Sequence, residues 1–251
     1  MDRKILKRAF TLERAPEWIC PTCGKSVLKI KKDSFFKDEL AHCRHRSHEA
    51  WEPEWITYVY SCLLYCSNNS CNEVVASTGT GNVDWDVGYD DDGHEEQVWS
   101  DYFLPKFFEP PLKIISIPDE CPASVKSPLI ESFRQVFSSP SASANSVRIA
   151  LEHLLTELKI SRYKLAGGKR RIVSLHERIS KIPTKYDDLK DLMLAVKWLG
   201  NAGSHDNETV SVDDVLDAYE MTEHVLSEIY APKKQKLKKI AKKVNKKKGP
   251  V

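Results

Sequence analysis

Apolar residues in the second half of the chain recur at helical spacing. Five such stripes begin near Leu129, Val147, Leu175, Leu189 and Val212. Each stripe is typical of an amphipathic helix that buries one face. The pattern therefore predicts a compact all-α bundle of five helices within residues 123–232.

The starts of these helices carry polar residues suited to capping. Ser174 precedes Glu177 by three residues, and Ser211 precedes Asp214 by the same spacing, as in a capping box. Residues 127–128, Ser-Pro, predict an N-cap followed by proline in the first turn of the first helix.

The first part of the chain has a strand-like pattern instead. Runs at residues 26–30, 55–66 and 73–77 are rich in β-branched and aromatic side chains, which favour strands. We expect a small antiparallel sheet within residues 1–82. The predicted fold class is therefore α+β, with the β part preceding the helical part.

Cysteine spacing adds chemistry to this sheet. The chain has seven cysteines, an odd number that metal ligation explains better than a disulfide framework. Two residues separate Cys20 from Cys23, and four separate Cys66 from Cys71, spacings that suit a four-cysteine zinc site. The two pairs predict a zinc ribbon. Its Zn²⁺ would be structural, because four thiolates leave no coordination position for water.

A rival metal site lies in residues 41–48, which contain three histidines and Cys43. Their spacing does not match a regular zinc finger, and Arg44 and Arg46 would place positive charge beside the ion. The other interpretation is an exposed basic loop, which would also contact a phosphate backbone. The sequence favours the loop.

Residues 83–122 are first acidic and then rich in proline. Eight carboxylates and no Lys or Arg lie between Asp84 and Asp101, and five prolines follow by residue 122. Proline at this density excludes regular helix, and the aromatic residues among them argue against free disorder. We expect an extended connector that packs along the domains it joins.

Charge is distributed unevenly along the chain. The net charge is +2, yet ten lysines and no acidic residue lie between residues 233 and 248. Of the 38 basic residues, 28 therefore remain against 36 acidic ones, so the rest of the chain carries −8. We interpret residues 233–251 as a lysine-rich tail of the kind that binds nucleic acid or another polyanion.

The tail has four apolar residues on one helical face, which predicts a helix with lysines on its other faces. We expect nucleic-acid contacts from Lys233, Lys234, Lys236, Lys238, Lys239, Lys242 and Lys243. A membrane surface is a weaker candidate, because the apolar face is small and lacks an aromatic anchor. A disordered solubilising tail is the third interpretation.

A second basic segment surrounds Gly167 and Gly168, between two predicted helices. A loop that contains glycine approaches phosphates closely, although this one lacks the order of a P-loop. A solvated loop without a ligand is the competing interpretation. The residues expected to bind nucleic acid here are Arg162, Lys164, Lys169, Arg170 and Arg171.

The chain contains no run that approaches the ~18 consecutive apolar residues of a transmembrane helix. No long apolar segment follows the charged residues at the N-terminus, so a secretory signal is not expected. These features predict a cytoplasmic protein with no membrane partner.

Several blocks of sequence resemble a known family. They are Cys-x-x-Cys-Gly at 20–24, Trp-Glu-Pro-Glu-Trp at 51–55, Arg-x-Ala-Leu-Glu at 148–152 and Lys-Trp-Leu-Gly-Asn-Ala-Gly-Ser-His at 197–205. With the later cysteine pair, they are similar to bacterial proteins with the domain of unknown function 4145. The resemblance covers nearly the whole chain. It implies a zinc ribbon and a helical bundle of the HEPN type, which occurs in restriction, toxin–antitoxin and anti-phage proteins.

Many HEPN proteins are metal-independent ribonucleases that use an Arg and a His separated by four to six intervening residues. In this chain His205 is in the expected place, but the expected Arg positions hold Gly200, Leu199 and Trp198. Lys197 lies one residue too far back and lacks the bidentate fork of arginine. A catalytic site would therefore consist of His205 assisted by Lys197 and Asn201. The competing interpretation is a helix C-cap and turn at Gly200 and Asn201.

These observations divide the chain into residues 1–82 with the zinc ribbon, a connector at 83–122, a HEPN-like bundle at 123–232 and the tail at 233–251. We expect a non-enzymatic, zinc-containing, nucleic-acid-associated accessory protein in bacterial restriction or anti-phage defence. The alternatives are a metal-independent ribonuclease centred on His205 and a protein–protein adaptor. By analogy with HEPN bundles, a homodimer and a partner protein from a defence system are further expectations.

Overall fold

A computed structural model describes residues 2–44, 46–90, 92–202, 209–230 and 233–250. The chain forms two compact units. The N-terminal unit consists of Met1–Lys113 with Phe133–Ser138, and the C-terminal unit consists of Ile114–Ser132 with Ser139–Val251. The part of the chain that the structure describes contains no helix long and apolar enough to cross a bilayer.

The N-terminal unit is built on a five-stranded antiparallel sheet. A short helix, α1 (Arg3–Lys7), precedes it, and 3₁₀ turns at Lys32–Ser34, Ala41–Arg44 and Pro53–Trp55 connect the early strands. The main path runs β1-β3-β4-β5, and β2 also pairs with β3. The strands are β1 (Leu28–Ile30), β2 (Phe36–Glu39), β3 (Thr57–Cys66), β4 (Val74–Tyr89) and β5 (Glu95–Glu109).

Alternation of side chains along β3 determines which face of the sheet is buried. Every second residue from Tyr58 to Cys66 is buried, and the residues between them are exposed, as the two-residue period of a strand requires. The buried face packs on an aromatic cluster that includes Phe10, Tyr60 and Phe103. Phe10 and Phe103 also exchange two backbone hydrogen bonds, of 2.9 and 2.8 Å.

The predicted connector differs from the structure. Residues 83–109 are not a connector between domains, because they lie in β4 and β5, the longest strands of the sheet. The prolines allow this arrangement: β5 is an edge strand, where the missing N–H of Pro105 costs no ladder bond. The register also shifts at Thr78/Gly79, opposite Pro105. The sheet is therefore much larger than the small ribbon that we expected.

The C-terminal unit is mainly helical. A 3₁₀ segment, Thr184–Leu189, leads into the fourth of its six helices. A two-stranded hairpin, β6 (Tyr163–Ala166) with β7 (Lys169–Ile172), lies between the second and third helices. The helices are α2 (Ala123–Gln135), of which residues 133–135 belong to the N-terminal unit, α3 (Pro140–Glu157), α4 (Leu175–Ser180), α5 (Lys190–Ala202), α6 (Val212–Tyr230) and α7 (Lys233–Lys247).

Two predicted caps are confirmed. The N–H of Glu177 donates to Ser174 Oγ at 3.2 Å. The N–H of Asp214 donates to Ser211 Oγ at 3.2 Å, and the N–H of Ser211 donates back to Asp214 Oδ2 at 2.8 Å. The two bonds between Ser211 and Asp214 run in both directions, as in a capping box.

Two other predicted helix ends are wrong. Helix α2 begins at Ala123 rather than at residues 127–128, because the carbonyl of Pro122 already accepts two helical N–H bonds. Helix α5 continues through Gly200 and Asn201 to Ala202, so this pair is not a C-cap. A Cβ at Gly200 would lie 2.4 Å from the Cβ of Arg148. Glycine is therefore needed there for the close packing of α5 on α3.

The core of the helical unit contains a buried polar network. The hydroxyl of Tyr219 lies 2.9 Å from Oγ of Ser132 and 2.9 Å from Oγ of Ser143, and all three residues are buried. A buried hydroxyl needs such partners. The network joins α2, α3 and α6 within a core whose other members include the buried apolar residues Leu129 and Val147.

Candidate metal centre and cationic surfaces

Four cysteines of the N-terminal unit converge on one point. The sulfur atoms of Cys20, Cys23, Cys66 and Cys71 all lie within 4.8 Å of one another. The Sγ atoms of Cys20 and Cys71 are 3.8 Å apart, and those of Cys23 and Cys66 are 3.7 Å apart. A disulfide would bring two sulfurs to about 2.0 Å, so these pairs are free thiols.

Two tight turns position the sulfurs. The N–H of Cys20 donates to the carbonyl of Ser26 at 2.8 Å, and Gly24 closes the first turn with a bond of 2.9 Å to the Cys20 carbonyl. Gly24 has a φ of +64°, a conformation that favours glycine. Cys66 ends β3, and the second turn returns the chain to place Cys71 beside Cys20.

The spacing of these sulfurs fits a tetrahedral metal ion. With zinc–sulfur bonds of about 2.3 Å, a regular tetrahedron separates neighbouring sulfurs by about 3.8 Å. The observed separations of 3.7 and 3.8 Å equal that edge within 0.1 Å. The four-cysteine cluster predicted from sequence is therefore compatible with a metal such as zinc.

The thiols of the cluster have different acidities. Backbone hydrogen bonds from Lys25 and Ser26 lower the pKa of Cys23 to about 6. Burial raises the pKa of Cys66 to about 12. A bound cation favours the thiolate at every position, so binding of an ion would release the proton of Cys66.

The rival cluster at residues 41–48 is not a metal site in the described part of the chain. Cys43 is buried and accepts the N–H of Thr57 at 3.2 Å. Arg44 forms an ion pair with Asp38, and Arg46 forms an ion pair with Glu39. The second histidine of the group, at position 45, lies outside the described residues. Both arginines are therefore neutralised locally, which weakens the case for a phosphate contact here.

The basic segment at 162–171 is a β-hairpin rather than a loop. Gly167 and Gly168 have φ values of +58° and +71°, as a two-residue type I′ turn requires. Arg162 lies 3.8 Å from Glu152, Lys164 lies 2.8 Å from Glu177, and Arg170 stacks over Tyr163 at 3.7 Å.

The two faces of this hairpin have different chemistry. Register pairs Lys164 with Arg171 and Ala166 with Lys169, so the three cations share one face. The opposite face carries Leu165 and Ile172, of which 81% and 79% are exposed. Lys169 and Arg171 form no ion pair with any residue that the structure describes. They are the two predicted hairpin cations best placed to contact a ligand.

The lysine-rich tail is helical, as predicted. Helix α7 carries nine lysines in 15 residues and no acidic residue. Lys242 and Lys243 are exposed. The side chains of residues 233–239, which include the other predicted contacts, lie outside what the structure describes. Lysines four residues apart repel one another on a helix, so a polyanion that neutralises them would stabilise α7.

The proposed catalytic group is only partly described. His205 lies within residues 203–208, which are outside the described part of the chain. Lys197 and Asn201 are one turn apart on α5. Lys197 is buried, its Nζ lies 3.1 Å from the centre of the Trp198 ring, and burial lowers its pKa. Lys197 therefore packs within the helical unit with its ammonium group over the Trp198 ring.

One surface of the N-terminal unit was missed by the sequence analysis. Trp85, Val87, Tyr89 and Trp99 are between 40% and 66% exposed on β4 and β5. Their alternation with carboxylates, Asp-Trp-Asp-Val at residues 84–87, has the two-residue period of a strand. That period was the available signal, and the high charge of the segment concealed it.

Comparisons with known proteins divide the chain in the same way as the structure. Residues 131–247 match a family described as Domain of unknown function (DUF4145), which confirms the predicted resemblance over that range. Residues 8–108 match a second family, Domain of unknown function (DUF8608), so the resemblance to the DUF4145 family does not cover nearly the whole chain as predicted. No curated protein and no solved structure matches the chain. The two family ranges thus correspond to the sheet with its cysteine cluster and to most of the helical unit.

Proposed function

We propose that this protein is a non-enzymatic, zinc-containing accessory protein that binds nucleic acid. The observation that carries the proposal is α7, a 15-residue helix with nine lysines and no acidic side chain. Such a helix neutralises phosphates without reading sequence. The cationic face of the β6–β7 hairpin, with Lys169 and Arg171, supplies a second surface of the same chemistry in the same unit.

The metal in this proposal is a structural Zn²⁺. The residues fit it: four thiols whose sulfur atoms lie within 4.8 Å of one another, two of the separations equal to a tetrahedral edge, with no His or carboxylate in the cluster. Cys20, Cys23, Cys66 and Cys71 would hold the ion and fill its coordination sphere. The zinc ribbon that the sequence predicts is part of this proposal. The ion would cross-link the turn before β1 to the turn after β3 and so stabilise one end of the sheet.

The biological setting that we propose is bacterial restriction or anti-phage defence, in the cytoplasm. It rests on the match of residues 131–247 to the DUF4145 family and on the similarity of that family to HEPN bundles. In that setting the protein would act beside a partner from the same system.

Nucleic-acid binding is tested by the salt dependence of affinity. Affinity for a fluorescent 20-nucleotide single-stranded RNA would be measured between 50 and 200 mM salt. The test variant replaces Lys242, Lys243, Lys246 and Lys247 with Gln. We expect tight binding by the wild type at low salt. In the variant, the slope of log K against log salt should fall by up to about 3, because each phosphate contact contributes roughly 0.7 for a single strand.

A matched variant controls for total charge. Lys25, Lys29, Lys32 and Lys113 are exposed and form no ion pair with any described residue. Their replacement with Gln removes the same charge from the N-terminal unit and should leave the slope unchanged. Equal losses in both variants would mean that net charge, and not α7, determines binding. Absence of binding by the wild type at 50 mM salt would refute the proposal.

A ribonuclease is separated from a binding protein in the same experiment. The RNA is incubated with the wild type and with His205→Ala in EDTA, and the products are resolved on a denaturing gel. We expect intact RNA with both proteins. Fragments from the wild type alone would establish a metal-independent nuclease and overturn the non-enzymatic assignment.

A further inference from the structure

The N-terminal unit has a projecting two-stranded arm. The pairing of β3 with β4 ends at Asn82, and the N–H of Val83 still donates to the carbonyl of Ile56 at 3.4 Å. Beyond Val83, β4 and β5 pair only with each other in the described part of the chain. Residues 83–89 face residues 95–101 in seven consecutive pairs, so the arm is about 24 Å long at ~3.4 Å per residue. We refer to these two segments as the acidic arm.

One face of the acidic arm is an exposed apolar stripe. Trp85 pairs with Trp99 across the strands, and Val87 and Tyr89 continue on the same face. In the body of the sheet this face is buried, as at Val75. Along the arm, by contrast, 51% of Trp85 and 66% of Tyr89 are exposed. An isolated two-stranded ribbon is marginally stable in water, and a contiguous apolar patch of this kind marks an interaction surface.

Negative charge lies beside the stripe and on the reverse of the arm. Glu95 pairs with Tyr89 and shares the face of the stripe, whereas Asp84, Asp86 and Glu96 lie on the opposite face. Residues 84–101 contain eight carboxylates and no Lys or Arg. Asp101 pairs with Lys37, and Asp90 pairs with His94. The carboxylates of Asp84, Asp86, Glu95 and Glu96 form no ion pair with any residue that the structure describes. The natural ligand of such a surface is a segment that is both cationic and amphipathic.

Helix α7 has that combination. Leu237, Ile240 and Val244 recur at helical spacing among its lysines, and 49% of Ile240 and 38% of Val244 are exposed. Its 15 residues span about 22 Å at 1.5 Å per residue, close to the length of the acidic arm. Lysines alone suffice to bind a phosphate backbone. The exposed apolar stripe therefore points to a protein surface as well.

We propose that the acidic arm binds α7 of a second copy of this chain. Ile240 and Val244 would pack on Trp85 and Trp99, while lysines of α7 would contact Glu95 and the aromatic rings on the same face. The carboxylates on the opposite face would attract the lysines across the thin two-stranded arm, within a Debye length of about 10 Å. The charges are complementary, with eight carboxylates on residues 84–101 and ten lysines on residues 233–248. Where the proposed function also holds, RNA and the arm compete for the same lysines, so self-association would limit nucleic-acid binding.

The first test measures the oligomeric state of the full-length protein by sedimentation at 50 and 500 mM salt. The arm variant carries Asp84→Asn, Asp86→Asn, Glu95→Gln and Glu96→Gln. We expect a dimer or larger species for the wild type at 50 mM that dissociates at 500 mM, because salt screens exposed charges. The arm variant should associate at least about tenfold more weakly at 50 mM.

The control variant neutralises four other exposed carboxylates. Glu17, Asp119, Glu120 and Asp188 lie away from the arm in sequence and form no ion pair with any described residue. Replacing them with the corresponding amides changes net charge by the same amount and should leave association unchanged. A monomeric wild type at 50 mM salt, or an arm variant that associates like the wild type, would overturn the proposal.

A second variant separates this inference from the proposed function. Ile240→Gln with Val244→Gln preserves every charge of α7. We expect it to lose self-association but to keep the RNA affinity and salt slope of the wild type. Mixed with the arm variant, it should restore a complex, because the arm variant supplies an intact α7 and the other variant supplies an intact arm. Failure of the mixture to associate would refute the arm–helix contact. Absence of RNA binding by the wild type would refute only the proposed function.

Discussion

Removal of one ligand should abolish zinc binding and unfold the N-terminal unit. Cys66→Ser takes one sulfur from a cluster whose four members lie within 4.8 Å of one another. A structural zinc site contributes on the order of 10 kcal/mol, while a whole domain is stable by only about 5–15 kcal/mol. Loss of the ion would therefore consume most or all of the stability of this unit.

The same strand supplies a matched control. Cys62 lies four residues before Cys66 on β3, is equally buried at 4% exposure and is not part of the cluster. Cys62→Ser places a hydroxyl where a thiol was buried, at a cost of about 1–3 kcal/mol. It should keep one zinc per chain. Comparison of the two variants separates loss of the metal from loss of a buried thiol.

Zinc content and thermal unfolding measure the two effects. Zinc would be quantified by elemental analysis of protein purified without added metal, and unfolding would be followed by near-UV circular dichroism. We expect one zinc per chain in the wild type and in Cys62→Ser, and none in Cys66→Ser. EDTA treatment of the wild type should reproduce the melting curve of Cys66→Ser. A zinc-loaded Cys66→Ser, or an EDTA-treated wild type that melts like the untreated protein, would refute the reasoning.

The pH dependence of zinc affinity has a defined sign. In the metal-free cluster, burial raises the pKa of Cys66 to about 12, so this thiol is protonated at neutral pH. Zinc must displace that proton, and affinity should therefore fall as pH is lowered. Cys23, whose pKa is lowered to about 6 by backbone hydrogen bonds, loses its proton without the metal above that pH. A competition titration with a chromophoric chelator between pH 6 and 8 measures the effect.

Two further predictions concern the helical unit. Gly200→Ala should destabilise the protein by about 1–2 kcal/mol, as measured by urea unfolding. The new Cβ would lie 2.4 Å from the Cβ of Arg148, which costs about 1–3 kcal/mol of overpacking, against a gain of up to about 1 kcal/mol in helix propensity. Increased stability of the variant would contradict this packing. Hydrogen bonds from Lys164 and Lys181 lower the pKa of Glu177 to about 2 in the folded protein. In the unfolded chain the pKa of this carboxyl group is about 4. The stability that the carboxylate provides is therefore present above about pH 4 and is lost as pH falls from about 4 towards 2. Glu177→Gln should therefore show a smaller loss of stability over that window than the wild type, and equal losses would contradict the assignment.

The elements that were predictable from sequence are those with local signals. The capping residues Ser174 and Ser211 fix their own helix starts through bonds within three residues. The pairs at Cys20 and Cys66 identify the cluster because each pair lies in one turn. These signals are contained in a few consecutive residues, so no knowledge of distant contacts is needed.

The errors came from contacts that are distant in sequence. Gly200 looked like the end of a helix, but its role is set by Arg148 on another helix. Residues 83–109 looked like a connector because they contain proline and many carboxylates, yet their pairing within the sheet determines their structure. The edge position that accommodates Pro105 depends on the strand order, which composition does not reveal.

A metal ion bound by the four cysteines would also link two distant points of the chain and so form a closed loop. The cluster brings Cys23 beside Cys66, so the 42 residues between them start and end at the same place. The loop would stay closed for as long as the ion remained bound. A protease that cuts once in the exposed segment 46–50 would then produce two polypeptides that remain associated and elute together in size-exclusion chromatography. Chelation would remove that link and leave the sheet pairing and the aromatic core contacts between Phe10, Tyr60 and Phe103 to hold the two fragments together. The stability of the nicked protein would therefore report whether the metal is bound.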